Sequence, residues 1–322
     1  MHTTSRDYKF ITTFRFLDIT EDIEEFELLP GVYLTTHREK IQKLIDSDFR
    51  SYAGRIEHAY FKDANHLVYL EDDSYFVKHN FDSNHALTAW LVWVDFLHTD
   101  AWLVKDHGMN CEIAYCKRRT FAGDDWSSNF LATHSSVSTG ELYKDTSFTF
   151  SDLVEWERKS LTVRSYLHKK KSGSLDSFTD KQFSRIGRAL RFSSAARRES
   201  HPAIKISHYC TAFESLFSTD NAELSHKLSE RVAIFLKNAD LNPIETYDSM
   251  KSFYGIRSKV THGDSIDSKR SSRLPELSMS CDELLRKAIN TIFNNEDLIA
   301  LFDGDAKSFE DYFKVSLLGR TT

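Results

Sequence analysis

Hydrophobic and polar residues follow two different patterns along this chain, and the change falls near residue 175. Before that point, short runs rich in β-branched and aromatic residues alternate with polar turns, which is typical of strands. Two longer stretches, 84–98 and 152–168, have helical spacing instead. The first half is therefore predicted to be β-rich or of mixed α and β structure. The predicted strands cover residues 10–16, 31–36, 66–70, 111–116 and 147–150.

A polar stretch separates the two halves. Residues 169–177 read KKKSGSLDS, with glycine and serine but without hydrophobic periodicity, which is typical of a linker. We place the domain boundary there, between an N-terminal domain over residues 1–170 and a helical domain over residues 178–302. Residues 303–322 are assigned to a C-terminal tail.

In the second half, hydrophobic residues recur at steps of three and four, which predicts five helices. A capping box of Thr179 and Gln182 opens the first helix, which ends near Arg198, and Pro202 opens the second. Five helices without a strand pattern predict an all-α bundle. The predicted fold class is therefore α+β. The remaining predicted helices cover residues 223–238, 243–262 and 274–302, the last with one or two interruptions.

The fourth of these helices has the clearest boundaries. Asn242 is the expected N-cap, Pro243 occupies the first helical position, where its missing N–H costs nothing, and Glu245 completes the capping box. The helix is expected to run to His262 and to end with Gly263 in the left-handed conformation.

The composition is that of a folded protein with room for two domains. The chain has 322 residues, of which 40% are hydrophobic and only 4 are proline, and compact domains usually hold about 100 to 200 residues. The net charge of −6 argues against a basic coat that would bind nucleic acid along the whole surface. One local basic patch would nevertheless suffice for an enzyme that touches RNA at a single site.

No sequence feature indicates secretion or a membrane span. The four cysteines are few and far apart for a disulfide framework, and the first ten residues, MHTTSRDYKF, lack the apolar core of a signal peptide. The most apolar window, residues 86–104, is interrupted by Asp95, His98 and Asp100. We therefore expect a cytoplasmic protein without a membrane partner.

Residues 254–264, YGIRSKVTHGD, place an arginine and a histidine five positions apart near the end of the fourth predicted helix. Arg257 lies beside the core stripe. His262 is rotated by roughly 140° from Arg257 around the helix axis, so the two side chains cannot sit side by side. Basic residues are common at helix C-termini because they face the negative end of the dipole, and such an arginine often pairs with a buried carboxylate. A structural role and an active site are both open at this point. The predicted core stripe consists of Met250, Phe253, Ile256 and Val260.

Three stretches of the helical half resemble the signature of the Apea-like branch of the HEPN superfamily. Residues 253–263, FYGIRSKVTHG, match its Y-x-x-R-S-x-x-x-H-G motif. Residues 211–217, TAFESLF, are similar to its A-L-E-x-L-F helix, with Phe213 where the family usually has leucine. Residues 228–233, LSERVA, are similar to its x-x-x-R-V-A helix. The matches come in the expected order, cover about residues 178–302 and leave the N-terminal half outside.

The resemblance implies a helical HEPN bundle that dimerises and acts as a metal-independent endoribonuclease. Its catalytic residues would be Arg257 and His262 of the R-x4-6-H motif, with Ser258 and Tyr254 as supporting motif residues. Glu214 and Arg231 match positions of the two other helices, for which we infer a supporting role as an internal ion pair that fixes the motif helix. No cofactor is implied.

The chemistry of these residue types fits RNA cleavage. Cleavage without a metal needs a group that takes the proton of the 2′-hydroxyl, and histidine side chains titrate nearest neutral pH. A guanidinium is always protonated and suits the charge that accumulates on the phosphorane oxygens. Because Arg257 and His262 diverge within one chain, a site shared across the two-fold axis of a homodimer is expected.

The same resemblance implies a setting in bacterial anti-phage defence by abortive infection. The substrate would be cellular RNA, with tRNA as one candidate, and the N-terminal domain would sense or regulate, in response to a trigger such as one derived from a phage. The alternative is a non-catalytic HEPN module that binds RNA or a partner protein and uses the bundle for dimerisation.

Two other constellations have a structural and a functional interpretation. His107, Cys111 and Cys116, with His98 upstream, could be imagined as a zinc site. Their spacings match no common pattern, and the two cysteines bracket a strand-like EIAY that would point them to opposite faces, so no metal is expected. An aromatic group could stack on bases, but its helical spacing favours core packing. This group consists of Trp90, Trp93 and Phe96, followed by Trp102.

Overall fold

The computed structural model describes residues 7–131, 134–170, 184–219 and 224–319. Contacts within the chain divide it into two units. One comprises Met1–Ser135 and Tyr143–Leu161, and the other comprises Ser136–Leu142 and Thr162–Thr322. The first is built on a β-sheet and the second is helical, so the predicted α+β class is confirmed.

The first unit contains a six-stranded antiparallel sheet and a separate two-stranded parallel pair. Its described strands are β1 (Tyr8–Thr12), β2 (Leu17–Ile19), β3 (Phe26–Leu29), β4 (Val32–Thr35), β5 (Leu67–Leu70), β6 (Ala114–Thr120), β7 (Gly123–Asn129) and β8 (Thr146–Phe148). The order in the large sheet is β3-β4-β5-β1-β6-β7, and β2 pairs with β8. All five predicted strands exist, with shifted ends, while β2, β3 and β7 were not predicted.

Alternation along the central strand β1 divides the first unit into two cores. Phe10 and Ile11 are neighbours in sequence, and successive strand residues point to opposite faces of a sheet. Phe10 belongs to one hydrophobic cluster with Trp90, and Ile11 belongs to a second cluster with Tyr69 and Tyr115. The helices of this unit are α1 (Arg38–Leu44), α2 (Ser47–Asp63), α3 (Ser74–His79), α4 (Ser83–Asp100) and the first part of α5 (Phe150–Lys169).

The aromatic residues of α4 are packing residues. Trp90 is fully buried, and its ring lies 5.5 Å from that of Phe10. Trp102 is also buried, while Trp93 and Phe96 are half-buried. The buried rings cannot stack on a base, which agrees with the core packing favoured by their spacing.

The second unit is a helical bundle in which α7 holds the centre. Tyr209, Phe213 and Phe217 are fully buried along it, as expected for a helix that other helices surround. The described helices are α6 (Arg185–Arg198), α7 (Pro202–Phe217), α8 (Leu224–Lys237), α9 (Pro243–His262), α10 (Ser268–Ser271), α11 (Leu274–Phe293), α12 (Glu296–Asp303) and α13 (Ala306–Leu318).

The boundaries of α9 agree with those predicted. The Asn242 side-chain oxygen accepts hydrogen bonds from the backbone N–H of Ile244 and of Glu245, and Gly263 ends the helix with φ of 74°. Both signals are local, since a cap is made by residues within one turn of the helix end.

The other predicted boundaries have different outcomes. The capping box of Thr179 and Gln182, and most of the predicted linker 169–177, lie outside the described residues. Within the described chain, Ser184 caps α6 by accepting from the N–H of Gly187. The residues assigned to a tail include the helix α13, and the division between the units falls inside α5, between Leu161 and Thr162.

A short segment from the first half of the chain is part of the helical unit. Ser136 donates its backbone N–H to Arg197 O at 2.9 Å, and the buried Lys205 ammonium donates to Ala196 O at 2.9 Å and to Ser136 O at 3.4 Å. These bonds satisfy carbonyls at the C-terminal end of α6, which have no partner within the helix. Residues 136–142 therefore complete this end of the bundle.

The segment turns at Gly140, where φ is +93° and a Cβ would stand 2.2 Å from Ser200 O. We predict that Gly140→Ala lowers the free energy of unfolding of the helical unit by about 2 to 4 kcal/mol, because the methyl group collides with backbone in addition to the cost of positive φ. Urea unfolding followed by circular dichroism measures this loss.

The control is Gly263→Ala, at φ of +74° with no atom within 4 Å of the added Cβ. This substitution has the left-handed cost alone, about 1 kcal/mol. Equal losses for the two variants would contradict the close packing of the segment at Gly140.

Among the described residues, no helix is both long enough and apolar enough to cross a membrane.

Candidate active site

Arg257 lies between α9 and α7, beside a carboxylate. Its Nη2 atom is 3.3 Å from Oε1 and 3.4 Å from Oε2 of Glu214. The two side chains are only 25% and 17% exposed. These distances are long for a charge-assisted bond, which is usually about 2.7 to 2.9 Å. The pair is therefore close enough to orient the guanidinium without holding it tightly.

Tyr254 completes a three-residue cluster with this pair. The Arg257 guanidinium carbon lies 5.3 Å from the centre of the Tyr254 ring, a cation–π arrangement. The Tyr254 hydroxyl interacts electrostatically with the Glu214 carboxylate. Arg257 and Tyr254 are three residues apart on α9, and both are tied to one carboxylate on α7. Glu214 therefore sets the position of the motif arginine.

Burial shifts the acid–base properties of this cluster. It raises the pKa of Glu214, and the nearby Arg257 charge and the Tyr254 hydroxyl oppose that shift without cancelling it. Burial also raises the pKa of Tyr254, and the Glu214 charge adds to this shift. Among the described residues, Glu214 is the one acceptor within hydrogen-bond distance of the Arg257 side chain. Its other donors are available to a ligand.

His262 lies at the C-terminal end of α9 and on a different side of the helix from Arg257. It is exposed, and no hydrogen bond or ion pair joins its ring to any residue that the structure describes. Gly263 and Asp264 both direct their N–H groups to Lys259 O, which closes the helix directly after the histidine. His262 projects where a ligand can reach it, away from the half-buried Arg257.

The core stripe and Ser258 lie close to their predicted places. Met250, Phe253 and Ile256 are buried, while Val260 is half-buried. Ser258, which follows the motif arginine, is half-buried as well. The predicted inner face of α9 is therefore confirmed, and the burial of its side chains decreases toward the C-terminal end of the helix.

The expected ion pair between Glu214 and Arg231 is wrong. Arg231 donates to Phe217 O at 2.7 Å through Nη1 and to Glu310 of α13 through Nη2. The Arg231 side chain extends from α8 to the C-terminal end of α7, where the last carbonyl groups have no donor within the helix. Glu214 lies one turn earlier and faces α9. Arg231 thus supports the end of α7, and its carboxylate partner lies in the segment assigned to a tail.

The residues weighed for zinc do not form a ligand set. In the described part of the chain, no group of three histidine, cysteine or acidic side chains is placed to hold a metal. The His98 Nε2 atom is 2.8 Å from the backbone oxygen of Met109. Burial raises the pKa of Cys111 to about 11 and raises that of Cys116 as well, which disfavours the thiolate that binds metals.

The expectation that the two cysteines point to opposite faces is also wrong. Both belong to the same hydrophobic cluster. The physical reason is that β6 begins only at Ala114, so Cys111 precedes the strand and does not follow its alternation.

In comparisons with known proteins, the chain matches no protein-family model, no curated protein and no solved structure. The HEPN interpretation therefore depends on the three motifs and on the placement of Glu214, Tyr254, Arg257 and His262.

The raised pKa of Glu214 implies that the free energy of unfolding depends on pH. The folded state binds this proton more tightly than the unfolded chain, whose carboxyl has its ordinary value of 4.5. The resulting stabilisation is complete below the unfolded pKa and is lost as the pH rises through the folded pKa. We predict that the unfolding free energy of the wild type, relative to Glu214→Gln, falls as the pH rises above the ordinary carboxyl value of 4.5.

Urea unfolding of both proteins below and above this value tests the sign. A difference that grows with pH would mean that attraction to Arg257 outweighs burial, contrary to the environment described here.

Proposed function

We propose that this chain is a metal-independent endoribonuclease of the HEPN type, with Arg257 and His262 as its catalytic residues. The observation that carries the proposal is their unequal environment. Glu214 and Tyr254 orient Arg257 and leave some of its guanidinium N–H groups available to a ligand. His262 is exposed, and its ring has no hydrogen-bond or ion-pair partner among the described residues. Glu214, Tyr254 and Arg257 are all positions of the matched motifs, so the contacts join motif residues on two helices.

The reaction uses the 2′-hydroxyl of the substrate as nucleophile. The 2′-oxygen attacks the adjacent phosphorus while the bond from phosphorus to the 5′-oxygen breaks. An imidazole takes the 2′ proton, and an imidazolium supplies one to the leaving oxygen. The guanidinium stabilises the charge on the non-bridging oxygens. The products are a 2′,3′-cyclic phosphate and a 5′-hydroxyl, and no divalent ion is required.

Two chains are part of the proposed mechanism. His262 is rotated by roughly 140° from Arg257 around α9, so one chain does not direct both side chains at the same phosphate. A two-fold axis beside the C-terminal end of α9 would place the arginine of one chain near the histidine of its partner. A homodimer through the helical unit is therefore the proposed active form.

The proposed biological role is defence against phage by abortive infection. Cellular RNA, with tRNA as one candidate, is the substrate, and the sheet-containing unit perceives the trigger. The other candidate is a non-catalytic module that binds RNA or a protein. The contact of Arg257 with Glu214 is compatible with that alternative as well, because a purely structural arginine would also make it.

We predict that His262→Ala lowers the rate of RNA cleavage by about 100-fold or more, the usual contribution of a general acid or base. Cleavage by the wild type should persist in EDTA and leave 2′,3′-cyclic phosphate ends. The assay is gel analysis of total RNA and tRNA incubated with purified protein. Because His262 is exposed, the variant should unfold at the same urea concentration as the wild type.

The matched control is His168→Ala, another exposed histidine of the helical unit. It should cleave RNA like the wild type. The binding-module alternative gains if the wild type binds RNA and leaves it intact. Full cleavage by both histidine variants would instead contradict the catalytic role of His262.

A further inference from the structure

The chain directly after the motif helix is basic and exposed. We call residues 264–273, DSIDSKRSSR, the post-motif segment; it includes α10, and all of it is exposed except the half-buried Ile266. From Lys259 to Arg273 the sequence has four lysines and arginines against two aspartates, a local charge of +2 in a chain of net charge −6. The region around His262 is therefore positively charged in a chain whose net charge is negative.

The post-motif segment folds back along α9. The Asp267 carboxylate accepts from the N–H of Arg270 at 2.9 Å and so caps α10, and it lies 3.6 Å from the Lys259 ammonium. The Arg270 Nη1 atom lies 4.0 Å from the point where a Cβ on Gly255 would stand. Asp267 is thus beside Lys259, and Arg270 is beside Gly255.

This placement brings Arg270 and His262 to one face of α9. At 100° per residue, Gly255, Lys259 and His262 lie within an arc of about 60°. Gly255 and His262 are seven residues apart, which corresponds to about 10 Å along the axis. A single RNA strand can span that distance with a few nucleotides. Arg257 lies on the opposite side of the helix.

The ion pairs of the segment are long and exposed. The Arg270 Nε atom is 3.8 Å from Asp267, and the Arg273 Nε atom is 3.6 Å from Glu276. Such pairs contribute little to stability, so a phosphate can replace them at small cost. Lys269 has no ion-pair partner among the described residues and is exposed.

We propose that the post-motif segment binds the phosphate backbone of the RNA substrate beside the scissile phosphate, with Lys269 and Arg270 as its main contacts. This inference rests on the proposed ribonuclease function and adds the element that holds the substrate. Lysine, arginine and serine side chains are those that contact nucleic-acid phosphates without reading sequence. The segment therefore supplies affinity and register, and it leaves base selection to other residues.

The test is the salt dependence of RNA binding. The probe is a fully 2′-O-methylated oligoribonucleotide, which has no 2′-hydroxyl and is not cleaved. Loss of two phosphate contacts in Lys269→Gln/Arg270→Gln should lower the slope of log affinity against log salt by about 1.4, since each contact to a single strand adds about 0.7. Affinity at low salt should fall by about tenfold. Lys269→Arg/Arg270→Lys should retain the slope.

The control is Lys237→Gln/Lys307→Gln, which removes two exposed charges elsewhere on the helical unit. If its slope and affinity match those of the segment variant, the assigned site is wrong. Cleavage of unmodified RNA by the wild type separates the two ideas. If the wild type cleaves RNA and the segment variant binds RNA as the wild type does, this inference alone is overturned. If the wild type neither cleaves nor binds RNA, the proposed function is overturned as well. The inference about the segment is also overturned if the segment variant keeps its affinity for RNA and loses affinity for an acidic protein.

Discussion

A half-buried carboxylate on α7 determines what the motif helix can do. Removing Glu214 from water is unfavourable, as its raised pKa indicates, and the cost is offset in part by Arg257 and Tyr254. Because both partners are on α9, the carboxylate orients that helix relative to α7. Arg257 is turned inward by this contact, and geometry then leaves His262 on the outer side. The anchoring of α9 therefore decides which of the two motif residues faces inward and which faces outward.

The same anchoring leaves part of α9 open. The inner side of α9 is occupied by Met250, Phe253 and Ile256, so a ligand reaches His262 from the helix end and its outer face. That end holds His262, the cap at Gly263 and the basic post-motif segment. The histidine, the local positive charge and the exposed hydroxyl groups of Ser268 and Ser271 lie together because the chain reverses there and runs back along the helix.

Features that depend on neighbours in sequence could be predicted, and features that depend on distant partners could not. The cap at Asn242 and the rotation between Arg257 and His262 follow from helix geometry alone. The strand β7, GDDWSSN, is a sheet edge with a single buried residue, Ser127, so it lacks the hydrophobic alternation that signals a strand. The partner of Arg231 is Glu310, 79 positions away, and no periodicity indicates such a pair. The place of residues 136–142 in the bundle was missed for the same reason.

In the proposed mechanism, Arg257 and His262 act together across two chains. Mixing the Arg257→Ala and His262→Ala proteins, after unfolding and joint refolding, tests it most directly, because a mixed dimer keeps one arginine and one histidine at the shared site. We predict RNA cleavage clearly above that of either variant refolded alone. A mixture as inactive as its components, with mixed dimers shown to form by differential tagging, would contradict it.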